Sequence, residues 1–337
     1  MDFVKKILVS FLLLVCFQTA KADWTKLNSN TLAWLQDVYF LNEQTGWIVG
    51  SGGTYLVTND GGKTWTKEKN FTQDTIRQVY FADEQTGFLL CERDIYTLGA
   101  NSPSYLLQTT NGGIYWERVE FTDHQRKRIT KFFFTKNGTG LAIGESGAFF
   151  AMSDDKRTWK RSPSLVRHLM FDGIFTNDSS GVVVGAGGSI LFTDDAGSSW
   201  NKASIFGNSK TKLNSVFFIN QKIGWTVGSA GKILQSVNGG KVWHEQKSNV
   251  AVDLTDVFFN NTADGWVVGD EGTILRTNLA GNAWTTVKSD AKHKLERIFF
   301  VGKKGWAVGF GGTILAYDES DKDANSLLPT PKFRTRN

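Results

Sequence analysis

The chain is poor in the residues that brace or catalyse in many proteins: of 337 residues only two are Cys, four are Pro, four are His and three are Met. One cysteine, Cys16, falls in the apolar leader, so once the leader is gone Cys91 has no intrachain partner and a disulfide framework is excluded. His124, His168, His244 and His293 stand far apart in sequence and form no pair at metal-ligand spacing, so neither a metal nor another cofactor is expected. Beyond the leader there is no long hydrophobic run and no convincing helical period. Charge is also modest: without the first 22 residues, 35 basic and 32 acidic side chains remain, a balance that does not imply nucleic acid as a partner.

The leader itself has Lys5 and Lys6, an apolar run from Ile7 to Phe17, and Ala20-Lys21-Ala22 before Asp23. This pattern predicts a secretory signal peptide over residues 1–22, cleaved after Ala22, since the run is short for a lasting membrane span. Val15 stands before Cys16 where a lipoprotein site wants a small residue. Export to a periplasm, the exterior or a comparable lumen is therefore expected. At the other end, residues 319–337 turn polar, then Pro-containing and basic, and read as a disordered tail.

What is abundant is glycine, 35 residues, and its placement is periodic. Gly followed by an apolar residue recurs at Gly46, Gly87, Gly140, Gly181, Gly224, Gly265 and Gly305, at intervals of 40 to 43 residues apart from one of 53. A fixed period of this size marks one repeated supersecondary unit. Within the first unit, β-branched and aromatic runs at 35–40, 47–50, 54–58 and 64–69 are separated by Asn-, Ser- and Gly-rich turns, so each unit reads as four short strands. Four strands per repeat and seven repeats predict an all-β fold, a seven-bladed β-propeller of four-stranded antiparallel blades over residues 23–318. A monomer is expected.

The third turn of each unit has its own signature. Thr58-Asn59-Asp60-Gly61-Gly62-Lys63-Thr64-Trp65 has copies ending at Trp116, Trp159, Trp200, Trp243 and Trp284. Glycine stands three residues before most of these tryptophans and Asp or Asn five before, Asp154 filling that place in the third copy. Such turns resemble the Asp-box of sialidases, and here they read as structural. Seven repeats but six box tryptophans leave one missing, and Asp23-Trp24-Thr25-Lys26 supplies it. The N-terminal strand, residues 23–28, is thus predicted to join the C-terminal repeat and close the ring.

Strand parity then puts the first and third turns on one face, called lower, and the second turns and interblade links on the upper face. Two irregularities mark that upper face. About ten residues are inserted around Cys91 to Ser104, bringing Arg93 and Tyr96. Neighbouring links are basic: Arg126, Lys127 and Arg128 in one, Arg167 and His168 in the next, then Lys210 and Lys212. By alignment the heads of the innermost strands are Asp37, Gln78, Lys131, Asp172, Ser215, Asp256 and Arg297, with Arg77 one position earlier in its blade. Arg77, Arg93, Tyr96, Arg126, Lys127, Arg128, Lys131, Arg167, His168 and Arg297 are accordingly the candidate partner-binding residues.

With Gly46-Trp47-Ile48-Val49-Gly50, Gly52-Gly53-Thr54-Tyr55-Leu56 and Gly62-Lys63-Thr64-Trp65 in view, the chain resembles the photosystem II stability/assembly factor family over the mature chain to about Asp318. The resemblance implies an exported, non-catalytic propeller that docks a protein partner, such as a membrane-complex subunit, with peripheral association at a membrane, and it singles out Arg93, Arg126, Arg128 and Arg167. An alternative from another class is a glycoside hydrolase or glycan-binding propeller of the sialidase-like type. It wants two carboxylates flanking a bond, and Asp37, Asp172 and Asp256, on blades one, four and six, are expected to lie too far apart.

Overall fold

A computed structural model describes residues 24–69, 71–94, 102–121, 127–162, 166–207 and 210–320. The leader, the segment after Ser320, Tyr96 and Arg126 lie outside the described residues. Seven sheets follow one another around a ring. Blade 1 consists of Leu35–Phe40, Gly46–Gly50, Tyr55–Thr58 and Thr66–Lys67, paired antiparallel in that order from the inside out. Blade 7 supplies only Leu295–Val301, Lys304–Gly309 and Thr313–Asp318, and its outer strand is Thr25–Leu27, which pairs Thr25 with Ala316 and Leu27 with Ile314. The seam therefore lies where the count of tryptophans placed it.

The recurring Gly-apolar pair has a steric cause. A Cβ on Gly46 would lie 2.6 Å from the Phe40 ring of its own blade, and one on Gly265 would lie 2.4 Å from Phe259. The phenylalanine can lie across the glycine only because no side chain is there. The residue after the glycine then reaches the next blade: Trp47 stacks on Phe81 at 3.9 Å and Trp306 on Phe40 at 3.8 Å. Box tryptophans meet the same phenylalanines edge-on, Trp65 against Phe40 at 5.7 Å and Trp243 against Phe218 at 5.8 Å. Each apolar cluster thus joins two adjacent blades, as Trp47 and Val49 join Val79, Phe81 and Leu89, and cohesion runs around the ring rather than into one central core.

The box turn works as a cap. Asp60 accepts from the Thr64 N–H at 3.0 Å and from the Thr58 hydroxyl at 2.8 Å, while Gly62 N–H donates to Thr58 Oγ1 at 2.9 Å. The third copy differs from expectation. There Asp155, not Asp154, is the acceptor, taking the Arg157 and Thr158 N–H groups at 2.9 Å each. With Lys156 itself at φ 56° the turn closes within fewer residues, which moves the capping acid one place along.

Two blades carry more than the expected four strands. Glu120–Phe121 adds parallel to Thr158–Arg161 in blade 3, and Ser204–Phe206 adds parallel to Val242–Gln246 in blade 5. Phe121 packs against Trp159 at 6.1 Å, so an apolar link residue covers the box tryptophan and protects the sheet edge. Hydrogen bonds fix the faces: Gly61 N–H donates to Gln44 O, joining third turn to first, whereas Ser51 N–H donates to Trp34 O and Gly53 N–H to Asp74 O, joining second turn to links.

Candidate functional site

Every innermost strand has an irregularity near its upper end, between Leu35 and Asp37 in blade 1 and at the equivalent place in the other six. A bulge of this kind re-aims the following side chain, here toward the neighbouring blade. Asp37 Oδ2 accepts Val79 N–H at 3.0 Å, Gln78 Oε1 accepts Phe132 N–H at 3.0 Å, Asp172 Oδ2 accepts Val216 N–H at 3.0 Å, and Asp256 Oδ2 accepts Ile298 N–H at 2.9 Å. These four residues pin blade to blade.

The other three heads fill the throat between them. Lys131 Nζ lies 3.0 Å from Asp172, and the Ser215 hydroxyl is within 2.9 Å of Asp172 and 2.6 Å of Asp256. Arg297 reaches Asp37 at 3.1 Å and Asp256 at 3.2 Å, with Asp172 at 4.0 Å. The three acids thus converge on one guanidinium instead of standing far apart, because the strands draw together where the bulges point inward. Burial pushes the Asp37 and Asp256 carboxyls upward against the pull of Arg297. Burial opposes the Asp172 charge too, but Lys131, Arg297 and the Val216 N–H outweigh it and hold that carboxyl below the usual range. Burial likewise disfavours charge on Arg297, and the surrounding carboxylates more than restore it.

Above the throat opens a funnel of about 290 Å³. Its rim includes Arg77, Arg128, Lys212 and Lys294, and its floor Lys131 and Arg297. Arg77 is tied to Glu92 at 2.7 Å and to Gln36 at 2.8 Å, and Arg128 approaches the same Glu92 at 3.6 Å. Lys294 pairs with Glu296 at 3.2 Å. Lys212 has no carboxylate among the described ion pairs and lies 5.0 Å over the Phe171 ring. Asp253, another acid lining the funnel, is already accepting from Ser229 and Ala230 of a second turn.

Of the sequence-predicted residues, Arg77, Arg128, Lys131 and Arg297 come together in this funnel. Arg93 does not: its guanidinium lies 4.5 Å over the Tyr105 ring, which Arg118 also approaches at 4.3 Å, and it bonds Ser102 O. Lys127 is half-buried and donates to Ser146 O, while Arg167 and His168 are exposed on the next link, His168 Nδ1 within 2.7 Å of Ser189 Oγ. The insertion in blade 2 lengthens two strands, Gly87–Glu92 and Ser104–Thr109, and so lifts Glu92 over the throat. Cys91, in the place of the glycine that other blades use there, is buried, and burial pushes its thiol up to about 12. Sequence reasoning passed over Lys294 and gave Lys212 no role in the mouth. A signal was present: both occupy the position of Arg128, immediately before the first residue of the innermost strand.

Among solved structures, YCF48 from Cyanidioschyzon merolae superposes with a TM-score of 0.70 at 18% identity, covering 88% of this chain and 99% of that one. A structure described as YCF48 bound to D1 peptide gives 0.71 at 21% identity, covering 88% and 95%. Virginiamycin B lyase from Staphylococcus aureus gives 0.72 at 14% identity, covering 88% and 98%, so the shared ring alone does not select a function. No curated protein matches in sequence. The family model described as photosynthesis system II assembly factor YCF48 matches residues 17–164, 151–248 and 239–333. With its repeats matched across nearly their whole length, the chain belongs to the photosynthesis system II assembly factor YCF48 family.

Proposed function

We propose that this protein is an exported, non-catalytic binding propeller that receives a segment of a protein partner in its upper funnel, as an assembly factor for a membrane complex. The observation that carries the reading is the division of labour between rim and throat. The throat carboxylates are committed to Arg297, Lys131 and backbone N–H groups of adjacent blades. The rim holds Arg128 and Lys212 with little or no neutralisation. A partner bringing carboxylates would find cations at the mouth and a closed polar floor below. A relative of the same fold is described as bound to a D1 peptide, which supports a protein segment as the ligand class. Export rests on the leader.

The test is binding of a synthetic acidic peptide and its Asn/Gln-substituted twin to the mature protein at low and high salt. Arg128→Glu with Lys212→Glu should weaken the acidic peptide by about tenfold or more at low salt, with the neutral twin hardly affected. Equal binding of both peptides, or binding indifferent to the double reversal, would sink the proposal.

A further inference from the structure

Blade 2 departs from the other blades at the height of the funnel rim. Where they end their second strand in glycine, it has Cys91. A Cβ on Gly144 of blade 3 would fall 1.9 Å from Arg128 O, and one on Gly309 of blade 7 would fall 2.1 Å from Lys294 O, so glycine lets the chain turn beneath the link. The next residue then bonds that link: Glu145 N–H donates to Arg128 O at 2.9 Å and Phe310 N–H to Lys294 O at 3.0 Å. Blade 2 does not turn there. Glu92 continues the strand, paired with Thr75 on one side and Ser104 on the other. The acids that follow the glycine in blades 3 and 6, Glu145 and Asp270, lie in their turns away from the funnel lining, whereas Glu92 is part of it.

The extended hairpin is held on both sides. Arg93 N–H donates to Pro103 O at 2.9 Å, and Ser104 Oγ accepts Ile129 N–H at 2.7 Å, which fastens the hairpin to the residue after Arg128. The freedom left at this point is in the Glu92 side chain.

That side chain serves two cations unequally. Glu92 Oε2 accepts from Arg77 Nε at 2.7 Å, while Oε1 faces Arg128 Nε at 3.6 Å, beyond hydrogen-bond distance. Arg128 Nε is buried and has no hydrogen-bond partner among the described residues. A guanidinium fork is built to take both oxygens of a carboxylate, and Arg128 receives only the approach of one. The side chains of Arg77 and Arg128 are 39% and 40% exposed against 15% for Glu92, so the cations keep open surface while the acid is tucked in. The other rim acids are differently engaged. Glu296 pairs with Lys294, its neighbour two residues away, and Asp253 accepts from Ser229 and Ala230. Asp37 and Asp172 belong to the throat, held by Arg297 and Lys131.

We infer that Glu92 is a built-in competitor for the ligand's carboxylate: it occupies the subsite between Arg77 and Arg128, and an acidic segment entering the funnel takes Arg128 from it. The inference rests on the funnel reading above and adds to it the residue that limits affinity. Competition of this kind keeps capture weak enough to reverse, as a factor that hands its partner on requires.

The parent protein, Glu92→Gln and Glu92→Asp are to be titrated with the synthetic acidic peptide and its Asn/Gln twin at low and high salt. Glu92→Gln keeps an oxygen for Arg77 and removes the charge. It should bind the acidic peptide about fivefold tighter at low salt, with the gap closing at high salt and the neutral twin unmoved. Glu92→Asp keeps the charge and should gain clearly less. Glu145→Gln makes the same change in net charge outside the funnel and should gain little, while melting temperature checks that each ring is intact. In the parent, the Glu92 carboxyl carbon resonance should shift as the acidic peptide saturates the funnel.

Glu92→Gln binding the acidic peptide no more tightly than the parent would overturn the inference, since Glu92 would then be positioning the arginines. A gain matched by Glu145→Gln would overturn it as well, and so would a Glu92 resonance indifferent to the peptide. Each of these leaves the funnel reading standing so long as the parent prefers the acidic peptide through Arg128 and Lys212. If neither the parent nor Glu92→Gln prefers the acidic peptide, the funnel reading fails and the competitor with it.

Discussion

Replacing Trp24 by Ala should cost about 3–5 kcal/mol of stability, the range for emptying a fully buried aromatic site. The magnitude follows from its surroundings. Trp24 has no exposed surface and touches Trp266, Tyr317 and Phe300 at ring separations of 5.5, 5.4 and 5.9 Å. These are rings of blades 6 and 7, so the side chain locks the seam from the outside strand. Beyond it only the short strand Thr25–Leu27 holds the edge of blade 7. Against a domain stability of roughly 5–15 kcal/mol, such a loss would leave a marginal ring. The assay is urea denaturation followed by circular dichroism, with Trp116→Ala as the internal comparison. Trp116 performs the same role in blade 2 but is only partly buried, so its removal should cost clearly less. A Trp24→Ala penalty within about 0.5 kcal/mol of zero, as for an ordinary surface change, would refute the closure argument, and equal penalties at the two sites would refute its dependence on burial.

Other outcomes follow from the throat and the turns. Arg297→Met should destabilise by up to about 3 kcal/mol, toward the low end for breaking a buried pair because its side chain is 28% exposed, and melting temperature would show it. If Arg297→Met melts like the parent, the three carboxylates are not held by that guanidinium. Gly312→Ala should lower the melting point by several degrees, since φ is +70° and a Cβ would fall 1.9 Å from Thr31 O; an unchanged melt would count against that contact. Asp60 is held near pKa 2, first by the Thr64 hydroxyl and then by the Thr64 N–H. Its folded pKa is depressed, so its contribution is present above the unfolded value and lost as pH falls from about 4 toward 2. Carboxyl NMR titration measures this directly, and a midpoint near the unperturbed value would contradict the turn geometry.

The fold was legible because its period is written in residues that sterics require. Gly46 must lack a side chain for Phe40 to cross it, and the missing tryptophan of the last blade could be found at Trp24 by counting. The extra parallel strands were not legible, since Phe121 and Ile205 sit in links without the alternation of a strand and pair only once the next blade's edge exists. The shift from Asp154 to Asp155 depended on one turn closing early. At the site, alignment correctly brought Lys131 and Arg297 to the throat, but sequence distance misjudged the acids. Position around the ring says little about separation at its axis, where a single arginine spans three blades. Arg93 stays out of the funnel for a local reason: its cation lies over the Tyr105 ring instead.

The seam has a kinetic consequence. Most strand pairs in each blade join neighbours in sequence, but Thr25 pairs with Ala316. Local hairpins repay their ordering entropy early, whereas a contact of that sequence separation is the slowest to form. Six blades can therefore assemble while the ring remains open, with the edge of Thr313–Asp318 unpaired until Thr25–Leu27 arrives. Refolding watched by pulsed hydrogen exchange should show last protection for the amides of Thr25–Leu27 and for those of Ile314–Ala316 that bond to it. Early protection there would mean that the ends meet before the blades are built.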